Sequence, residues 1–269
     1  MNDKLDLDAY IARIGWGGST YPGFGTLAGL LRAHMSNIPF ENLDVLLGRP
    51  IRLDLESVQN KLVHARRGGY CFEHATLFAA VLEALGFKPL RHTARVTVFV
   101  PRNAAPRTHM FLTVDVAEGS FVIDPGFGAL APRVPVPLAE GAQARHDEEL
   151  HAMVRDGPLW ILRARSGDKT VDAWVSTLEE DNLVDFELGN HYTASHPNSL
   201  FVNRIAMRAL TSDGRVTVSN RDVNVWRGNV PETHQLADRK ALRALLNEYF
   251  GFDLPEVEQL RVPAIPEWQ

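Results

Sequence analysis

Residues 66–87 read RRGGYCFEHATLFAAVLEALGF and hold Cys71, the only cysteine in a chain of 269 residues. A Gly-Gly pair precedes the thiol and a helical pattern follows it. Ala75, Phe78, Ala79, Leu82 and Leu85 recur at three- and four-residue spacing, and Leu77, Val81 and Ala84 make the other face apolar too. A helix that is apolar all round is a buried helix, and Gly86 ends it. The stretch predicts a loop that delivers one thiol to the start of a buried helix.

Upstream the chain reads as short helices. Asp6 or Asp8 is placed to cap a first one, AYIARIG, which Gly15, Gly17 and Gly18 end. Thr26 is placed to cap LAGLLRAHMSNI, and Pro39 then breaks the pattern so that PFENLD becomes a tight link. Residues 55–65 make another amphipathic helix.

Downstream of Leu90 the period changes to two. Residues 93–100 are rich in Val, Thr and Phe; residues 109–116 alternate, residues 117–120 turn, and residues 121–124 pair back. Hairpins follow through Asp156-Gly157 and through Ser166-Gly167-Asp168. Residues 129–149, with Pro132, Pro135 and Pro137, read as an irregular connection. After Pro197 come the hairpin RIAMRAL–TSDG–RVTVSN and a helix capped by Asp238 and closed by Gly251. Helices, then strands, then a small mixed unit give an α+β class rather than alternating βαβ units. The central strands suit an antiparallel sheet or barrel.

Composition excludes several functions. With 45% hydrophobic and 23% charged residues the chain is an ordinary globular one. A formal charge of −5 and a pI near 6.1 offer nothing to nucleic acid or to an anionic membrane. A single cysteine rules out an intrachain disulfide, and Cys and His show no metal-ligand spacing, so no metal is expected. No apolar run approaches about 18 residues, so no membrane span is expected. The start, MNDKLDLDAYIARIGW, has no signal-peptide core. Together with the lone thiol this suits a reducing, cytoplasmic location.

What chemistry Cys71 does depends on its partners. A thiol reacts as its thiolate, which a helix N-terminus and an imidazolium both favour. A lone cysteine on an apolar helix is also commonly a small buried hydrophobe. Among the ten histidines, His109 starts a strand whose neighbour ends at Asp124, before Pro125-Gly126-Phe127-Gly128. Asp124 is therefore placed to orient the imidazole and stabilise its cation. The alternatives are a solvated strand-end histidine and a turn-capping aspartate. His74 is a rival base three residues from Cys71, and Asp115 a rival acid, disfavoured because VAEG puts it at the far end of its hairpin. Gly68 and Gly69 would let the backbone approach a substrate carbonyl.

The stretches YIARIG (10–15), PFENLD (39–44), RGGYCFE (67–73), Thr108-His109, DPGFG (124–128) and HYTASHPNSLF (191–201) together resemble the arylamine N-acetyltransferases, in family order and through most of the chain. Pro125 departs from the small aliphatic residue expected there, and His74 from Gln or a similar polar residue. The resemblance implies a helical bundle (1–87) carrying Cys71, an antiparallel β-barrel (88–200) carrying His109 and Asp124, and an α/β lid (201–269), with a papain-like Cys-His-Asp arrangement. It implies ping-pong acetyl transfer from acetyl-CoA, a substrate and not a bound cofactor, to small aromatic amines or hydrazines, xenobiotics among them. It carries Phe40, Phe127 and Phe201 over as substrate-binding, and Thr108 and Gly128 as lining the CoA approach. Arg67, Glu41 and Glu73 become a buried charge network bracing the loop, and Arg95, Arg102 and Arg107 either meet CoA phosphates or are simply solvated. The competing readings are a CoA-independent cysteine hydrolase or transglutaminase-like enzyme, an amide-forming synthase of the same family, and a binding module that has lost activity.

Overall fold

A computed structural model describes residues 5–147, 149–166, 168–228 and 230–268. The first part is helical. Helix α1 (Leu7–Ile14) is capped by Asp6, whose carboxylate accepts from Ala9 N–H at 2.9 Å, and Gly15 ends it in the left-handed conformation. Helix α2 (Phe24–Asn37) starts earlier than the Thr26 cap would place it: Gly23 is the N-cap, and Thr26 is buried inside the first turn. Short helices α3 (Leu43–Leu46) and α4 (Leu55–Gln59) follow, the latter running on into a π-turn over Asn60–His64.

Helix α5 (Cys71–Ala84) is the buried helix the sequence predicts. Phe72, Ala75, Leu77, Phe78, Ala79, Val81 and Leu82 are all fully buried, against Tyr10, Leu27, Leu30, Leu31 and Leu62 among others. Each large side chain so buried stabilises the fold by about 2 kcal/mol. Cys71 is thus mounted on a rigid element.

Eight antiparallel strands make the second part: β1 (Leu90–Val96), β2 (Arg107–Val116), β3 (Gly119–Ile123), β4 (Val136–Pro137), β5 (Gln143–His146), β6 (Glu149–Asp156), β7 (Leu159–Ser166) and β8 (Lys169–Ser176). Their order is β4-β3-β2-β1-β8-β7-β6-β5, and β4 returns against β5 and β6, so the sheet nearly closes into a barrel. Strands β4 and β5 lie in the stretch expected to be irregular; they are too short to show a period. Strand β1 stops at Val96, and Phe99 and Val100 lie exposed in the following loop instead of continuing it. The β6–β7 turn is at Asp156-Gly157 as expected, whereas Gly167 of the next turn lies outside the described residues.

Strand β2 is buried on both faces. Met110, Leu112 and Val114 pack against α5 and the bundle, while Phe111 enters the barrel core with Val122, Met153, Leu162 and Trp174. A bulge interrupts its pairing with β1: Ala94 faces His109 but Arg95 faces Arg107, leaving Thr108 as the extra residue.

Helix α6 (Leu183–Ser195) packs on β2 and is followed by α7 (Leu200–Asn203). Its exposed Leu183, Val184 and Leu188 spoil any amphipathic pattern, which hid it in the sequence. A four-stranded meander of β9 (Ala206–Thr211), β10 (Gly214–Ser219), β11 (Asp222–Arg227) and β12 (Val230–Gln235) then buries Met207, Val216, Val218 and Val223 against helix α8 (Arg239–Leu245), capped by Asp238. Its first hairpin is the one read from the sequence; β11 and β12 were not foreseen. No described helix is long and apolar enough to cross a membrane.

Phe40 joins these parts. It pairs in parallel with Gly69, two residues before Cys71, and antiparallel with Arg208 of β9, exchanging both backbone bonds with Arg208 at 2.9 Å.

Candidate active site

Cys71 is the first residue of α5. The first bond along that helix runs from His74 N–H to Tyr70 C=O, so the N–H groups of Cys71, Phe72 and Glu73 have no acceptor within the helix. Glu73 reaches back to accept from Tyr70 N–H at 3.1 Å. The loop before the thiol is braced by buried charges. Arg67 donates to Glu41 at 2.7 Å and to Asp44 at 3.3 Å, and Lys61 bridges Asp44 at 2.9 Å and Glu73 at 2.8 Å. The expected Arg67, Glu41 and Glu73 are all members; Lys61 and Asp44 complete the network.

The glycines before Cys71 are packed closely by the bundle. A Cβ on Gly68 would lie 2.2 Å from Pro39 O, and one on Gly69 2.7 Å from a Glu73 carboxylate oxygen. Their lack of a side chain lets the PFEN link and Glu73 close in on the loop.

His109 and Asp124 meet as the strand pairing predicts. His109 Nε2 lies 2.8 Å from Asp124 Oδ2, and both residues are buried. Cys71 adds to the pull of Asp124 on this ring, raising its proton affinity further. Burial alone would push the imidazole down, but the charge and hydrogen bond of Asp124, with the contact to Cys71, hold it up at about 10. Cys71 Sγ lies 3.7 Å from the carbonyl of Thr108, the bulge residue before His109. Asp115 is exposed near the distal turn, away from this chain.

Trp174 is the partner the sequence did not reveal. Its indole Nε1–H donates to Asp124 Oδ2 at 2.9 Å, and its ring stacks on Phe111 at 4.2 Å. The loop after Asp124 lies flat against the start of α5: a Cβ on Gly126 would sit 2.6 Å from Cys71 Cα.

His74 is committed elsewhere. Its Nε2–H donates to Pro39 C=O at 3.2 Å, and its Nδ1 accepts from His34 Nε2–H at 2.8 Å; His34 Nδ1 in turn accepts from Tyr10 O–H at 2.9 Å. One tautomer for each ring satisfies every atom with both histidines neutral. Burial accordingly lowers His74 to about 4 and holds His34 well below the ordinary histidine value.

Of the three aromatic residues carried over from the motifs, Phe40 and Phe201 touch each other and Phe127 touches His109. Phe127 meets the His109 ring edge-on at 4.7 Å, Phe40 meets Phe201 at 5.9 Å, and Phe201 meets Tyr70 at 5.5 Å. Gly128, with φ +64°, lies against the Phe40 ring, which a Cβ would approach to 3.3 Å. Tyr70 donates its hydroxyl to Asn190 of α6. Arg95 of β1, Arg107 of β2 and Arg102 of the loop between them line a cavity of about 150 Å³ together with Ser176 and Thr177.

A family model for N-acetyltransferases matches residues 24–259. The arylamine N-acetyltransferase of Mycolicibacterium smegmatis is 37% identical over 94% of this chain and 94% of its own. That of Escherichia coli is 34% identical over 94% of this chain and 90% of its own. The structure of the Mycobacterium marinum arylamine N-acetyltransferase in complex with CoA superposes with a TM-score of 0.89 at 32% identity, covering 94% of each chain. On sequence and on structure alike, the chain belongs to the arylamine N-acetyltransferase family.

Proposed function

We propose that this protein transfers acetyl groups from acetyl-CoA to aromatic amines or hydrazines by a ping-pong route through acetyl-Cys71. The observation that carries this is the buried chain Cys71–His109–Asp124, with His109 raised to about 10 and therefore able to pair as a cation with a thiolate at neutral pH. Cys71 attacks the carbonyl carbon of the acetyl thioester. The bond from that carbon to the CoA sulfur breaks, and His109 returns its proton to the departing thiolate. The amine nitrogen then attacks acetyl-Cys71, His109 takes the nitrogen's proton, and Cys71 leaves as thiolate, restoring the starting pair. The free N–H groups of the first turn of α5 stabilise the oxyanion at each step.

Asp124 fixes the tautomer and Trp174 fixes Asp124. Phe40, Phe127 and Phe201 wall the acceptor. Thr108 and Gly128 line the approach of CoA, whose phosphates suit the cavity rimmed by Arg95, Arg102 and Arg107. That three-part machine comprises residues 1–87, 88–200 and 201–269 and works in the cytoplasm.

Mass spectrometry of the intact protein tests the proposal. Acetyl-CoA should add one acetyl group at Cys71, and an arylamine should then remove it; Cys71→Ser should show neither. A protein that stays unacetylated, or that hydrolyses peptides without CoA, overturns it.

A further inference from the structure

Along β9, Met207 and Ala209 enter the core of the lid, so Arg208 and Leu210 point the opposite way, toward the bundle. Arg208 is buried, and its Nη1 donates to Gly128 O at 2.6 Å and to Ala131 O at 3.3 Å. Both carbonyls belong to the segment that follows Asp124. By its backbone the same residue holds Phe40, whose ring faces Gly128. Arg208 therefore grips both sides of the Phe40–Gly128 contact, one through its main chain and one through its side chain.

This grip is costly. The Nε and Nη2 atoms of Arg208 have no hydrogen-bond acceptor among the described residues. The facing carboxylate, Glu149, is 3.9 Å away and is shared with Arg215 at 3.1 Å and Arg133 at 3.4 Å. Burial pushes the guanidinium down to about 10; Glu149 opposes the shift, and Arg133 and Arg215 add to it. Replacing a buried, poorly paired charge by an apolar side chain of similar volume is often neutral for stability. What such a side chain would not do is hold two carbonyls of the loop.

We infer that Arg208 is a positioning residue for acetyl transfer: rooted in the lid sheet, it sets the wall of Phe40, Phe127 and Gly128 against which the acceptor is aligned. The inference rests on the acetyltransferase reading of Cys71. Asp124 has its own anchors in the barrel, His109 and Trp174. Loss of the guanidinium should therefore loosen the acceptor wall while leaving the Cys71–His109 pair intact.

Wild type, Arg208→Met and Arg208→Lys separate the possibilities, with three measurements on each: acceptor KM, the pH profile of Cys71 alkylation by iodoacetamide, and thermal unfolding. Arg208→Met keeps volume and the backbone bridge to Phe40; its acceptor KM should rise about tenfold, with an unchanged alkylation profile. Arg208→Lys, which can still reach one carbonyl, should recover part of the loss. Unchanged KM in both folded variants overturns the inference, as does activity that falls only in step with the folded fraction or with alkylation. If wild type itself gains no acetyl group from acetyl-CoA, the acetyltransferase reading fails and takes this inference with it; normal acetylation of wild type with unaltered variants removes Arg208 alone.

Discussion

Two buried imidazoles lie at the start of α5, His109 on the barrel side and His74 on the bundle side, and their surroundings drive their proton affinities apart. His109 stands at about 10 and His74 at about 4. Burial pushes both down. The difference lies in what each ring meets: His109 has the buried Asp124 carboxylate, and His74 has a carbonyl and a second neutral imidazole. Closeness to the thiol along the chain does not decide which ring holds a proton; a buried counter-ion does.

The largest test of that contrast exchanges the rings for amides. His109→Gln should cut kcat/KM by on the order of 10⁵-fold, whereas His74→Gln should cost less than about tenfold. Steady-state kinetics on folded protein would break the comparison if the two losses were alike. Asp124→Asn comes next, with an expected drop of about 10⁴-fold in kcat and retained near-UV circular dichroism; near-wild-type turnover would remove the acid from the chain. Trp174→Phe keeps the stacking on Phe111 but deletes one donor to Asp124, so kcat should fall about tenfold.

The smallest effect is on stability. His109 is raised in the folded state, so its contribution is complete below the ordinary histidine value of 6.5 and is lost as pH rises toward about 10. His74 is lowered, so its contribution is complete above 6.5 and is lost as pH falls toward about 4. Thermal melts against pH should therefore fall off on both sides, with Asp124→Asn flattening the alkaline limb and His74→Gln the acid limb. A mutant that flattens the wrong limb would invert the assignment.

Local pattern carried much of this into the sequence. The mount of Cys71 was legible because α5 is apolar all round, and the His109–Asp124 contact because adjacent antiparallel strands bring their ends together. The partners that depend on distant packing were not legible. Trp174 reaches Asp124 only through the pairing of β1 with β8. His34 and Tyr10 join His74 only when three helices pack, and nothing in their spacing announces it. Gly68 and Gly69 were visible as a device for close approach, but which groups approach is a tertiary fact. Strands of two and four residues, such as β4 and β5, are below the length at which alternation can be read.

The bridge from Phe40 to Gly69 and Arg208 has a kinetic consequence. Its Gly69 arm closes a short loop, but its Arg208 arm joins positions far apart in sequence, and such long closures are slow because chain entropy is lost before contacts compensate it. In refolding, the thiol should gain its helix early and its acceptor wall late. Recovery of acetyl transfer should lag behind recovery of far-UV circular dichroism, so that each molecule passes through an interval in which the helix of Cys71 exists without the wall around Phe40.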